Sequence, residues 1–349
     1  MPRRHRGYAP ANDHSPDFDD MTSALPFDDI RNLMSHLPAG DEAAGEGVRA
    51  QFAKAEKPHG SLGRLEDLAA WLAVWSGRPP AVNRPLVAIF AGNHGVARHG
   101  ISPQPMEATA RAVELTAAGG AAINQICLAY DVGLKVFDLA LHLPTEDITQ
   151  DAALDERGCA ATMAFGMEAI SGTDLLCIGD LGVGNTTVAA TILAAIYGGG
   201  GTGWVGQGSG ADAAMVAQKA RVVDAALSFH AGHLQDPLEV LRRVGGREFA
   251  AIAGAIVAAR MEKIPVILDG FAAIAAASVL KAMNPRALEH CVIAQLSPEP
   301  GYRRAVELLG MTPLLDLGMA HGEGAGAALA AGLAKAAALC SSGMAAALR

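Results

Sequence analysis

The chain has 349 residues, 51% hydrophobic and 18% charged, which suits one large α/β domain or two unequal ones and excludes disorder over most of the length. The net charge is −9 and no Lys/Arg stripe follows the first six residues, which argues against a nucleic-acid binder and leaves small molecules or further copies of the chain as partners. Five scattered cysteines, Cys127, Cys159, Cys177, Cys291 and Cys340, form no CxxC pair and read as buried thiols of a reducing compartment, not as a disulfide framework or zinc site.

Residues 1 to about 25 are polar and read as a disordered leader. The basic start, Met1 to Arg6, precedes no apolar segment and is not a secretory signal. Residues 28–75 show a helical pattern, with Leu62, Leu65, Leu68, Leu72 and Trp75 recurring at spacings of three and four. From Arg84 onward, short apolar runs alternate with Ala-rich helical runs. Strands are expected at 86–91, 135–139, 175–178, 265–268, 291–296 and 314–317, giving a parallel sheet with helices on both faces. The apolar stretches near 249–259 and 270–280 each fall short of the ~20 residues that cross a bilayer and read as buried helices. A last helix, roughly 326–339, is expected to pack with the N-terminal helices. The expected division is a small helical unit begun by 26–83, a large α/β unit over 84–325, and a return to the small unit over 326–349.

Ligands of such sheets lie at the carboxyl ends of the strands. Residues 179–187, Gly-Asp-Leu-Gly-Val-Gly-Asn-Thr-Thr, join a strand to a helix. Their glycines let peptide N–H groups converge, and Asn185 or Thr186 is expected to cap the helix, whose N-terminus favours an anion. The plainer reading is a well-capped turn. A second cluster, Gly206-Gln207-Gly208-Ser209-Gly210, precedes Lys219, which is either a point charge for a phosphate or a solvated helix lysine. In 318–326, Glu323 sits between Gly322 and Gly324 at the start of a long apolar helix. A carboxylate in a glycine-walled pocket can take a proton from a substrate, whereas a first-turn glutamate can simply complement the helix dipole. His94, in Gly92-Asn93-His94-Gly95-Val96, is a lone histidine and reads first as structural. No HExxH spacing or other metal motif occurs.

Several chemistries are disfavoured. Gly322-x-Gly324-x-x-Ala327 fits the dinucleotide fingerprint formally, but Glu323 is the last acid in the chain, so no ribose-binding acid follows. There is no Walker lysine motif, no paired-acid loop of the kind used with magnesium and phosphoribosyl pyrophosphate, and no Gly-x-Ser-x-Gly elbow after a strand.

Taken in order, Lys57-Pro58-His59-Gly60-Ser61-Leu62-Gly63-Arg64-Leu65-Glu66, the 92–96 segment with Ser102-Pro103, residues 179–187, Leu268-Asp269-Gly270-Phe271 and Gly322-Glu323-Gly324 resemble the nicotinate-nucleotide:dimethylbenzimidazole phosphoribosyltransferases, over about 57–343. The resemblance implies a Rossmann-like parallel sheet plus a small helical domain from both chain ends, usually in a homodimer. It implies transfer of the phosphoribosyl group of nicotinate mononucleotide to a benzimidazole-type base in the cytoplasm, without cofactor, metal, nucleic acid or membrane. Glu323 matches the family's proposed base, with Asp180 as a second carboxylate that could stabilise the transition state. Gly182, Val183, Gly184, Asn185, Thr186, Ser209, Gly210, Lys219 and Gly322 match positions around the phosphate and ribose. Ser102, and with it His94, is assigned to the base pocket.

The sequence also departs from the family. Asp180 stands where the family usually has Glu, Ala320-His321 precede Gly-Glu-Gly, and 104–114 match poorly. Two alternatives therefore stay open: a nucleotide-binding regulator with weakened chemistry, and an oxidoreductase using the Gly322 loop.

Overall fold

The structure is a computed structural model that describes residues 25–347. The expected leader lies almost wholly outside those residues.

Five strands form one sheet: β1 (Pro85–Ala91), β2 (Gly133–Asp138), β3 (Leu175–Leu181), β4 (Val266–Leu268) and β5 (Cys291–Ile293). The order is β2-β1-β3-β4-β5 and every pairing is parallel. Thirteen helices are described. Three precede the sheet: α1 (Asp28–Ser35), α2 (Glu42–Lys54) and α3 (Arg64–Ser76). Next come α4 (Ala108–Ala117), α5 (Ala122–Tyr130), α6 (Glu156–Met167) and α7 (Asn185–Tyr197). Then follow α8 (Ala213–Phe229), α9 (Pro237–Val244), α10 (Arg247–Met261), α11 (Phe271–Met283), α12 (Pro300–Leu309) and α13 (Ala325–Ala347).

Side chains alternate across a strand, and here each set meets its own core. Ala88, Phe90, Leu176 and Ile178 join a cluster built mainly from α6 to α12. Val87, Ile89, Leu175 and Cys177 join another, built from α2, α3, α5 and α13. Burial on both faces explains why β1 and β3 read as unbroken apolar runs. Helices from both chain ends meet on the second face, where α13 packs on α2 and α3. Arg64 at the start of α3 donates to the carbonyls of Pro313 (2.7 Å) and Thr312 (3.0 Å), gripping the chain just before the Glu323 loop.

Two strand expectations need correction. Residues 314–317 form no strand: a single bridge joins Leu315 to Gln295. β5 ends at Ile293 rather than at 296. Leu314 and Leu315 still donate to the carbonyls of Ile293 and Ala294, so this edge continues as loop.

By length and composition, 108–130 and 325–344 could each cross a bilayer. Gly119 and Gly120 divide the first into α4 and α5, and Ala327, Ala331 and Ala334 of the second are buried against the sheet.

α6 and α10 approach closely because glycine stands at the contact. A Cβ on Gly254 would overlap the Met163 carbonyl, and one on Gly166 that of Ala251. Alanine is the better helix former by about 1 kcal/mol, but overpacking costs about 1–3 kcal/mol. Gly254→Ala is therefore expected to lower the urea midpoint; a raised midpoint would contradict this packing.

Candidate active site

A cleft of about 440 Å³ opens at the carboxyl ends of β3, β4 and β5. In a 2-1-3-4-5 sheet the chain changes direction between β1 and β3, and a crevice forms there. The cleft brings together three loops that are distant in sequence: 180–186, 207–209 and 319–323.

At one end lies a cationic cradle. Gly184, with φ 88°, is the N-cap residue of α7, and no side chain caps the helix. Asn185 is the first helical residue, which corrects its expected role as a cap: its Nδ2 donates to Asp180 Oδ1 at 2.7 Å. The Val183 amide donates to Thr109 Oγ1 (3.1 Å), tying this loop to α4. Lys219 is almost fully buried; its Nζ donates to Thr186 Oγ1 (3.2 Å) and to the Gly206 carbonyl (3.0 Å). Burial holds this lysine below its ordinary pKa, against the pull of nearby Glu299. Ser209 also lines the cleft. Gly210 does not, and its amide donates to the Gln207 carbonyl.

The 322–324 loop brings Glu323 into the same cleft. Gly179 has no side chain, so the 322–324 loop lies directly on β3. A Cβ there would stand 2.5 Å from the Gly324 nitrogen and 2.7 Å from the Glu323 carbonyl carbon. The Glu323 amide donates to the Asp180 carbonyl (3.3 Å), and Glu323 adopts φ 69°. Left-handed backbone is unfavourable for a glutamate and must be held in place by its surroundings. Asp269 helps to hold it: Oδ2 accepts from Gly326 (2.7 Å) and Ala327 (3.1 Å) at the start of α13. Glu323 Oε2 is buried without a hydrogen-bond partner, and His321 Nε2 stands 3.2 Å away, an electrostatic contact rather than a directed bond. Glu323 holds the His321 imidazole above its ordinary pKa.

Ser102 lines the cleft, with Gln104 beside it. His94 does not, which corrects its expected place beside the base: it is fully buried and paired with Glu248. Thr109 falls in the 104–114 stretch expected beside the base, whereas Gln295, Ser297 and Glu299 also line the cleft and were not singled out from the sequence. Glu299 Oε2 accepts from the Gly208 amide (3.0 Å), and Gln295 Nε2 donates to the Met319 carbonyl (3.3 Å). A polar residue just past the buried strand β5 was the available signal for Gln295.

Asp180 is pushed up to about 8, first by burial and then by the charges of Glu248 and Asp269, against the Asn185 hydrogen bond. This favours the protonated carboxyl near neutrality, a donor in place of the stabilising carboxylate expected from the sequence. Between about 4 and about 8 the unfolded chain releases this proton while the folded chain keeps it. The contribution of Asp180 to stability therefore falls as pH rises through that window. Asp180→Asn is expected to be more stable than wild type at pH 8.5, by about 1–3 kcal/mol, with the gap closing towards pH 4. Urea unfolding at both pH values tests this; a pH-independent difference would contradict it.

Over residues 37–348 the chain matches the family model described as phosphoribosyltransferase. It is 63% identical over 324 residues to the nicotinate-nucleotide–dimethylbenzimidazole phosphoribosyltransferase of Rhizobium etli strain CFN 42, covering 93% of this chain and 96% of that protein. The same coverage holds, at 64% identity, for the enzyme of that name from Rhizobium leguminosarum bv. trifolii. The crystal structure of CobT from Thermus thermophilus superposes with a TM-score of 0.80 at 37% identity, covering 86% of this chain and 96% of that one. At this identity and coverage the chain belongs to the family of nicotinate-nucleotide–dimethylbenzimidazole phosphoribosyltransferases.

Proposed function

We infer that the chain transfers the phosphoribosyl group of nicotinate mononucleotide to 5,6-dimethylbenzimidazole or a related base, giving alpha-ribazole phosphate and nicotinate for the lower ligand of cobalamin. One observation carries the residue assignment: a single cleft joins the Lys219 cradle to Glu323, whose buried Oε2 has no hydrogen-bond partner.

In this reading the phosphate sits against Lys219, Thr186 and Ser209, with Gly182, Val183, Gly184, Asn185 and Gly210 shaping the loops that hold it. The ribose lies between Asp180 and Gly322, and the incoming base lies beside Ser102 and Gln104. The leaving ring is a pyridinium, so its nitrogen departs by taking the C1′–N bond pair and needs no acid or metal. The incoming benzimidazole nitrogen attacks C1′ from the opposite face, inverting β to α. Glu323 Oε2 takes the N–H proton from the other ring nitrogen. His321, half-exposed beside Glu323, offers that proton a route to solvent. General-base assistance supplies about 10²–10⁴-fold, and fixed alignment of the two rings across C1′ must supply much of the rest.

The working form is proposed to be a cytoplasmic homodimer, free of any membrane. Supporting the dimer, Leu115, Leu128, Tyr130 and Leu339 on α4, α5 and α13 are 41–80% exposed, an apolar face that a second copy would cover. The cysteines form no disulfide, as suits a reducing compartment. Light scattering of the pure protein should give twice the chain mass; a monomer at working concentration would sink the dimer.

Glu323→Gln is expected to bind nicotinate mononucleotide like wild type while losing about 10²-fold or more in kcat. Nicotinate release should continue unchanged in excess EDTA. Near wild-type turnover by the variant would remove Glu323 as the base, and EDTA inhibition would remove the metal-free mechanism.

A further inference from the structure

Behind Gly182, off the cleft lining, two fully buried polar side chains meet. His94 Nε2 lies 2.5 Å from Glu248 Oε1, and neither side chain reaches solvent. His94 comes from the segment after β1, Glu248 from the first turn of α10. Glycines from three separate segments close around them. A Cβ on Gly182 would stand 3.1 Å from Glu248 Oε1 and 2.7 Å from the Gly92 carbonyl oxygen. One on Gly246 would stand 2.9 Å from His94 Nδ1, and one on Gly92 would overlap the Glu248 carboxylate.

A glutamate early in a helix is ordinarily exposed, where it complements the dipole. Burying it against a histidine is costly, and well-packed apolar residues could fasten β1 to α10 as firmly. The pair is also incompletely satisfied as a fastener, since Glu248 Oε2 and His94 Nδ1 have no partner. Its position explains its retention: it underlies the loop that carries both Asp180 and the phosphate cradle. We propose that His94 and Glu248 are a positioning pair for the transfer reaction, fastening the β1 tip to α10 beneath Gly182 and setting a negative charge behind Asp180.

The groups around Asp180 come from every side. Glu248 faces it from α10, Asp269 from the end of β4, Asn185 from α7 and Tyr302 from α12, while the Glu323 amide bonds its carbonyl. After burial itself, Glu248 is the largest influence keeping the proton on Asp180. A neutral Asp180 spares the anionic nucleotide a further negative charge beside its ribose. This catalytic consequence rests on the phosphoribosyl-transfer reading; the placement of the charge does not.

The test is Glu248→Gln in the full chain, with aspartate carboxyl carbons labelled with ¹³C and Asp180 assigned by its loss in Asp180→Asn. Without substrate, the Asp180 titration midpoint is expected to fall by about one pH unit, the usual order for losing a nearby like charge. The limb of the kcat/KM profile that Asp180→Asn abolishes should move with it. An unchanged midpoint overturns the proposal, as does a Glu248→Gln limb shift that persists when residue 180 is already Asn. Should Glu248→Gln not fold, His94→Gln decides: it strips Glu248 of its imidazole partner and should move the midpoint, and a wild-type midpoint there overturns the pairing. Because the titration needs no substrate, failure of the transferase reading shows separately, as absent nicotinate release with the titration shift intact.

Discussion

Everything chemical in this protein depends on a contact between two stretches of backbone. The 322–324 loop rests on β3 at Gly179, near enough that no side chain fits between them. The Glu323 amide then bonds the Asp180 carbonyl, and the two acids share one cleft although they lie far apart in sequence. Glu323 is held at φ 69°, a conformation costing roughly 1–2 kcal/mol for a residue with a side chain. Asp269, accepting from the start of α13, and Arg64 of α3, holding the carbonyls of 312 and 313, keep the loop in that conformation from both sides. The helices from the two chain ends are thus part of the support for Glu323.

The electrostatics of the cleft follow from which atoms lack partners. Gln295 Oε1, Glu299 Oε1 and Glu323 Oε2 are buried without hydrogen bonds, and all three residues line the cleft. Unpaired buried acceptors are costly, so their concentration marks a place that expects donors or positive charge from its ligand. Ribose hydroxyls, a ring N–H and a pyridinium cation supply both. Lys219 lines the same cleft as Glu323, bonded to Thr186 and to the carbonyl of Gly206 in the glycine-rich turn. Two carboxyls stand in different surroundings: burial raises the pKa of Asp180, while Glu323 keeps an oxygen without a hydrogen bond.

Much of this was legible in the sequence, for identifiable reasons. Strands buried on both faces gave apolar runs at 86–91 and 175–178, ending in glycines that mark close approach of backbone. The Gly-Glu-Gly loop signalled itself because a charged residue between glycines has little to do in a core. Local pattern failed where long-range contacts decide. Residues 314–317 look like a strand, yet after the short β5 they retain a single bridge. Asn185 looks like a cap, but Gly184 takes that position through φ 88° and frees the amide for Asp180. Glu248 looks like an ordinary first-turn glutamate, and no local pattern says that it is buried against His94. Glu299 reaches the cleft only through the Gly208 amide, a contact between loops that no spacing rule encodes.

These features share a cost that explains the rest of the architecture. A strained glutamate, a protonated buried aspartate, a desolvated lysine and a buried His–Glu pair would each loosen a weak scaffold. All four gather at the rim of a sheet whose strands are sealed between two apolar layers, with Val87, Ile89, Leu176 and Ile178 wholly inaccessible. The reaction itself demands little beyond placement, since the leaving ring already carries its positive charge. What the protein must provide is a fixed distance between a phosphate anchor and a base, and a sheet packed on both faces holds such a distance at its rim.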